Sequence, residues 1–450
     1  MRSSIGSSIL AIPLLSLSLT ACFEDPSTNT TASTNGDGDG DSTGDGDGDE
    51  TSDSQGDGDG DPTGDGDGDP TGDGDGDPTG DGDGDPTGDG DGDGDGDGDP
   101  GPCSDGPYPV SYSSALMIPA GNNAQGVALA DVDNDDDLDI VSTARDDHQV
   151  NVFINSGVGQ FNPPMTSDMP MSMFPGALFA NAIADGIPDV EISGYDGTNK
   201  LVRMRGDGTG GFYDYETVDL ASPRFALGHL NGDLALDAIG TGNNMMRVYQ
   251  ASVGQESYFP IDPIDSPTPF ISADQIAVGD FDGDNDLDVA VASFNELRIG
   301  INTGQGQFMF PMTLSFFGGP TGIAVGDIDG DDDLDILLTT AGGGSDAAHL
   351  FANNGNGGFA PDVELSAPSG PNALAVGDVD KDGIDDLAIV SGSGTIAVYL
   401  ANGDGTFAVP KQITCMGQNP RQLHIGDLNG DCVGDVVTVT GTGVCVMMSQ

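Results

Sequence analysis

Aspartates recur at alternate positions of a nine-residue stretch, Asp-x-Asp-x-Asp-x-x-x-Asp, along the second part of this chain. The copies are Asp131, Asp133, Asp135 and Asp139; Asp280, Asp282, Asp284 and Asp288; Asp327, Asp329, Asp331 and Asp335; Asp378, Asp380, Asp382 and Asp386. A fifth, Asp427, Asn429, Asp431 and Asp435, carries an amide at its third position. In a tight loop, side chains at positions 1, 3 and 5 converge while 2 and 4 point away. Four oxygens at that spacing suit a hard dication such as calcium, which takes six to eight oxygens in a flexible cage. Without a cation the carboxylates repel one another or take up protons. Gly283 lets its loop bend tightly, and the apolar Phe281 and Leu287, at positions 2 and 8, are expected to turn inward and moor the loop to the structure that carries it. Two stretches break the pattern. Asn181, Ile183, Asp185 and Asp189 include a side chain with no oxygen; His229, Asn231, Asp233 and Asp237 include an imidazole, a poor calcium ligand. The expectation is five good calcium sites, a weak one at Asn231, Asp233 and Asp237, and none in the second stretch.

Composition removes other classes. The 450 residues carry 76 acidic against 11 basic side chains, a formal charge of −65. Residues 101–450 alone hold 48 acids and 10 bases, a net −38. Nucleic acid is excluded as a partner, because binding phosphate needs basic surface. No nucleophile elbow, His-Glu-x-x-His zinc motif or phosphate loop is present, and four scattered histidines form no catalytic cluster. Arg205-Gly206-Asp207 matches an integrin-recognition tripeptide, but it lies in a Gly-rich turn that other units share, as in Asn402-Gly403-Asp404. His424 stands where other units have Ala128, Ala277, Ala324 and Ala375, and reads as a packed residue.

The loops are one part of a larger repeat. Counting both irregular copies, they start at 131, 181, 229, 280, 327, 378 and 427, seven units near 49 residues each. In the unit at Asp327 the pattern predicts strands at 322–326, 334–340, 348–353 and 359–365. Asn354-Gly355-Asn356-Gly357-Gly358 supplies the positive φ that a tight hairpin needs. Four antiparallel strands per unit make a propeller blade, and seven blades close a ring. The last unit has room for only three strands before the chain ends, so residues 108–118 are expected to supply its fourth and close the ring. The fold class is therefore all-β: a seven-bladed propeller of four-stranded antiparallel blades over 103–450.

What precedes the ring is not globular. Between residues 36 and 100 are 26 acidic residues, no base, and no aromatic or aliphatic β-branched side chain. Residues 22–102 are read as a disordered acidic tether with a contour of roughly 270 Å. Its eight-residue period sets Asp57, Asp59, Asp61 and Asp65 in the calcium-loop spacing, which resembles the Asp-rich arrays of thrombospondin type 3 repeats. It lacks the apolar residues and cysteines that hold those arrays together, so any calcium there should bind weakly. Residues 1–21 read as an export signal, with Arg2 before an apolar stretch over 5–19 that is too short to span a bilayer. Leu19-Thr20-Ala21-Cys22 resembles the lipobox of bacterial lipoproteins. That resemblance implies acyl chains on Cys22, a stable anchor, and, with Phe23 rather than Asp after it, export to the outer membrane.

Ala324-Val325-Gly326-Asp327-Ile328-Asp329-Gly330-Asp331 and its equivalents resemble the FG-GAP/VCBS repeats of bacterial surface proteins and integrin α-chain propellers. The resemblance implies calcium loops on one face that brace the blades, a backbone-carbonyl ligand at position 7 (Asp137, Asp286, Asp333, Ile384, Val433), and no catalysis. Four cysteines besides Cys22 allow three pairings; the strand order favours Cys103–Cys432 and Cys415–Cys445. The reading is a lipid-anchored, calcium-binding surface propeller for adhesion or recognition of an extracellular protein or glycan. The alternatives are an enzyme of polysaccharide lyase or phosphodiesterase type on the same scaffold, and a purely structural or calcium-buffering surface protein.

Overall fold

The computed structural model describes residues 106–450, apart from 170–177, 184–186, 196, 222–223, 234, 243, 252–261, 269–272, 343–345, 416 and 418, together with residues 16–17. The ring has seven four-stranded antiparallel blades. From inner to outer strand, blade 1 is Ala124–Ala130, Asp139–Ala144, Gln149–Phe153 and Met165–Asp168. Blade 2 is Leu178–Ile183, Ile187–Tyr195, Asn199–Gly206 and Phe212–Leu220, and blade 3 Phe225–Gly228, Asp237–Gly242, Met245–Tyr249 and Ile264–Pro267. Blade 4 is Gln275–Gly279, Asp288–Ser293, Glu296–Asn302 and Phe308–Ser315, and blade 5 Gly319–Gly326, Asp335–Ala341, Ala347–Phe351 and Val363–Ser366. Blade 6 is Pro371–Gly377, Asp386–Ser391, Thr395–Tyr399 and Lys411–Thr414. Ser16–Leu17, inside the stretch read as an export signal, pairs parallel with Gly322 and Ile323 on the inner edge of blade 5.

Blade 7 shows the closure. Its inner three strands are Leu423–Gly426, Asp435–Thr440 and Gly443–Met447, and its outer strand is Leu116–Ile118, paired as Leu116↔Val446 and Ile118↔Val444. The regular part of the closing strand is shorter than the 108–118 expected. Upstream of it, Tyr112 bridges to Ser449, and the Ser113 and Gln450 amides donate to the Met448 and Ser111 carbonyls. Still earlier, Gly106 and Tyr108 donate to the Lys381 and Asp380 carbonyls of blade 6.

The strands read as apolar on both faces because each blade is covered on both sides by a neighbour. The core therefore lies between blades. Val437 and Val444 of blade 7 cluster with Ile140 and Phe153 of blade 1, while Phe281 and Ile299 of blade 4 cluster with Ile323 and Leu338 of blade 5. Inner strands lie closest together, which suits small residues: Ala128, Ala226, Ala277, Ala324 and Ala375 share one register position, and His424 takes it in blade 7.

Cys415, after the outer strand of blade 6, is bonded to Cys445 in the third strand of blade 7. Cys432 is disulfide-bonded too. Its expected partner Cys103 lies outside the described residues, as do Cys22 and the segment read as a tether.

Candidate metal loops and the opposite face

Each acidic loop joins an inner strand to the second strand of its blade, so the loops share one face of the ring. Their backbone winds through the left-handed region twice. At position 4 stand Asn134, Gly283, Gly330, Lys381 and Gly430, with φ of 60°, 76°, 73°, 63° and 72°. At position 6 stand Asp136, Asn285, Asp332, Gly383 and Cys432, with φ of 67°, 70°, 68°, 87° and 70°. The first aspartate holds these turns. Asp280 accepts the Gly283, Asp284 and Asn285 amides at 2.8, 3.2 and 2.8 Å, and Asp327 and Asp427 repeat the arrangement. Position 5 accepts the position-7 amide, as in Asp286 to Asp284 at 2.9 Å.

Position 9 serves another purpose. Asp288 is fully buried; one oxygen accepts the Phe281 amide at 3.1 Å and the other the Asn302 amide at 2.7 Å. Asp139, Asp335, Asp386 and Asp435 make the same two bonds, tying loop to third strand. Burial pushes Asp139 and Asp435 up to about 6, and Asp288, Asp335 and Asp386 up to about 7, against the pull of the amide donors.

Position 3 carries the fit to a cation. In Asp133, Asp282, Asp329 and Asp380 one carboxylate oxygen is buried with no hydrogen-bond partner. Burial first, and then the neighbouring carboxylates, raise the pKa of all four. A buried unpaired carboxylate oxygen is costly, and here it faces other oxygens. Ligand atoms of Asp131, Asp133 and Asp139 lie within 4.8 Å of one another, as do those of Asp280, Asp282 and Asp288; Asp327, Asp329 and Asp335; and Asp378, Asp380 and Asp386. The loops of blades 1, 4, 5 and 6 can hold a metal ion.

The other three differ. In blade 7 the Ser449 hydroxyl lies at 3.0 Å from Asp431 and from the Val433 carbonyl, and at 2.7 Å from Asp435, among the oxygens assigned to a ligand shell. In blade 3 the His229 Nδ1 lies 3.0 Å from the Ala235 carbonyl, the position-7 oxygen. A carbonyl only accepts, so the imidazole donates and engages that ligand. Asp233 accepts the Ala235 amide and Asp237 the Leu230 and Ala251 amides, so Asn231, Asp233 and Asp237 form a self-satisfied turn. Blade 2 builds no loop of this kind: its strands pair on to Ala182↔Pro188 and Ile183↔Ile187. Asp185 lies outside the described residues.

Sequence reasoning missed the stitches between loops. Asn302 donates to the Leu287 carbonyl of its own loop at 3.0 Å and to the Leu230 carbonyl of blade 3 at 2.9 Å. Asn155 and Asn353 bridge blades 7 and 1, and 4 and 5, in the same way. The spacing of Asn302 and Asn353 behind position 9 is the available signal, whereas the strand pattern places Asn353 only as the end of a third strand. Phe281 turns inward as expected, buried with Ala277 and Ile299 of its own blade, and the mooring extends further. Phe281 meets Phe359 of blade 5 edge-on at 5.6 Å, and Leu287 packs over Gly228 of blade 3, where an added Cβ would come within 2.7 Å. Both also anchor the loop to neighbouring blades, because the space beside a loop is shared with the next blade.

Two tempting groups are structural. Thr340, His349 and Asp362 lie in the order of a charge relay at 3.1 and 3.0 Å, but Thr340 is 0% and His349 1% exposed, so no substrate reaches them. Asp207 accepts the Thr209 and Gly211 amides and caps its own turn. The face away from the loops is different in kind. It exposes Tyr195, Phe294 and Phe317, the last two at 66% and 63%. Asn295 fixes that pair: its amide donates to the Gly318 carbonyl at 3.3 Å and its side chain accepts the Gly318 amide at 2.8 Å.

Residues 280–338, 337–389 and 378–438 match the FG-GAP-like repeat family. The ring is thus a seven-bladed β-propeller that carries FG-GAP-like repeats over residues 280–438. No curated protein matches the chain. Among solved structures, a lectin of Agrocybe aegerita that recognises non-reducing terminal N-acetylglucosamine is similar at TM-score 0.51 and 17% identity, over 72% of this chain and 85% of that one. The BP39L lectin of Burkholderia pseudomallei is similar at TM-score 0.56 and 16% identity, over 74% and 96%. BBS1N, in complex with ARL6DN, is similar at TM-score 0.50 and 12% identity, over 75% and 96%. At such identities the likeness is one of fold.

Proposed function

We propose that this chain is an exported, non-catalytic recognition propeller, lipid-anchored through Cys22, with structural calcium in its acidic loops and a glycan as its ligand on the opposite face. The observation that carries the reading is the split between faces. The loop carboxylates are spent on backbone amides or turned inward around a candidate cation, whereas the far face presents exposed aromatic rings on hydrogen-bonded turns. Hard oxygen donors at alternating positions support calcium over softer metals. When bound, the ion would neutralise the clustered carboxylates and fill the gap beside the position-3 oxygens; Asp133, Asp282, Asp329 and Asp380 would hold it with the first-position aspartates. The two lectins support glycans only as ligands this scaffold can take, and a protein ligand is the second possibility on the same face.

Two measurements test the reading. Metal that binds only the folded state raises its melting temperature. Thermal unfolding in about 10 mM calcium, well above the dissociation constants of extracellular sites, should therefore exceed that of chelator-stripped protein by several degrees. Equal melting temperatures would remove calcium from the account. A glycan array should give saturable binding that Phe294→Ala or Phe317→Ala weakens; binding to no glycan and no surface protein leaves a purely structural role.

A further inference from the structure

The acidic loop of blade 6 carries a load that the other metal-competent loops do not. Asp380, at its third position, is 7% exposed, and one of its carboxylate oxygens is buried with no hydrogen-bond partner. Asp380 belongs to the group formed with Asp378 and Asp386, whose ligand atoms lie within 4.8 Å of one another. The backbone around the same residue holds the chain where it enters the ring. The Asp380 carbonyl accepts the Tyr108 amide at 2.7 Å, and the carbonyl of Lys381, at position 4, accepts the Gly106 amide at 2.5 Å. Among the described residues, the position-3 and position-4 carbonyls in blades 1, 4 and 5 accept no bond from another segment.

The contact is close, and it continues toward the closing strand. An added Cβ at Gly106 would overlap the Asp380 and Lys381 carbonyl oxygens, so only glycine lets the two backbones touch. Val110 is 4% exposed and clusters with Val379, position 2 of the same loop, and with Val433 of blade 7. The Lys411 ammonium donates to the Val110 carbonyl, and the Tyr112 hydroxyl donates to the Gly434 carbonyl at 3.2 Å. Residues 106–112 therefore lead from a candidate cation site to the bridge that precedes Leu116–Ile118.

Whatever sets the shape of the loop also sets the strength of this clasp. Without an ion, the carboxylates of Asp378, Asp380 and Asp382 repel one another and push apart the turn that carries the two carbonyls. An ion among them turns repulsion into attraction and holds positions 3 and 4 in place. The Gly106 and Tyr108 amides bind that held geometry. Ion and segment each favour the state the other needs, and such coupling is reciprocal.

We propose that calcium in the blade 6 loop locks the N-terminal clasp at residues 106–112, so that calcium sets how firmly the ring is shut. This rests on the calcium reading above. The test is amide hydrogen exchange of the full chain, read in peptides covering residues 106–112, in about 10 mM calcium and after chelation. Exchange there should be about 10-fold slower with calcium, the effect of one hydrogen bond gained. Asp380→Ala in calcium should exchange as chelated wild type does, whereas Asp282→Ala, which removes the equivalent ligand of blade 4, should keep the protection. After chelation, Asp380→Ala should protect the clasp as well as wild type or better, because a repelling carboxylate is gone. Weaker protection there would mean that the side chain rather than the ion holds the clasp, and would overturn the proposal. So would equal loss in Asp282→Ala, or calcium that raises the melting temperature without slowing exchange at 106–112; both leave the calcium sites standing. No response of melting temperature or exchange to calcium would overturn both readings.

Discussion

Asp282 and Asp288 look alike in the repeat, yet their surroundings give them different work. Asp288 spends both oxygens on backbone amides, at 3.1 and 2.7 Å, and Asp282 keeps one buried oxygen unpaired. Asp288→Asn should therefore cost about 1–3 kcal/mol even without metal, since an amide nitrogen would confront an N–H donor. Asp282→Ala should leave metal-free stability unchanged or higher and remove part of the calcium-induced rise in melting temperature. Denaturant unfolding of both variants with and without calcium separates the roles. The pH response follows from the same carboxyls. Burial raises Asp237, Asp288, Asp335 and Asp386 to about 7 when folded, against about 4 unfolded. Their contribution is present in full below about pH 4 and is lost as pH rises through 7. His424, pushed down to about 4 by burial, acts oppositely, losing stability as pH falls from about 6.5. Asp139, Asp385 and Asp435, raised to about 6, add to these four, and seven such carboxyls against one histidine set the net direction: metal-free protein should lose stability between pH 4 and 7, and urea titrations across that range measure it. The alternation of aspartates was legible in the sequence. The division of labour was not, because it depends on amides 14 to 18 residues downstream of position 9.

At the scale of the element, strand number, order and the Gly-rich hairpins were legible, since they follow from local periodicity and turn chemistry. What the repeat did not reveal is that its invariant-looking parts face outward to other blades. The glycine before position 1 is one case: Gly228 and Gly279 lie under Leu287 and Leu334 of the next blade, and Gly326 under Asp385. The asparagine stitch is another. Asn302→Ala should cost about 1–3 kcal/mol by leaving two buried carbonyls short of a donor, and a denaturation curve of that variant checks it. Blade 2 departs most. Where other blades pair apolar residues, such as Leu337 with Leu350, it pairs Glu191 with Arg203, both buried. Breaking a buried ion pair from one side is expensive, about 3–5 kcal/mol, whereas replacing both partners by apolar residues can be neutral. Glu191→Ala should therefore destabilise strongly, and Glu191→Val with Arg203→Val should recover most of the loss.

On the scale of the whole molecule the ring depends on one seam. Seven blades and the donation of the last strand by the N-terminal segment could be read from counting strands. The short extent of that strand could not, because residues 106–115 bind by isolated bridges and loop contacts rather than a ladder. The Cys415–Cys445 bond crosses from blade 6 to blade 7 over a separation of 30 residues. Removing it should cost about 3–4 kcal/mol on the chain-entropy account, measured as a fall in melting temperature in the Cys415→Ala, Cys445→Ala variant. The closing strand also has a mechanical meaning. A chain held at its N-terminal end and loaded through a captured ligand transmits tension into the ring at blade 7. With Cys103 as the partner of the bonded Cys432, a covalent link into the blade 7 loop bears it first; behind that link stand the Gly106 and Tyr108 amides on blade 6, the Ser113 and Tyr112 contacts and the three pairs of Leu116–Ile118. Only with that link reduced would rupture proceed one clasp at a time, so the covalent bond, with the contacts behind it, would shield the closing strand from pull.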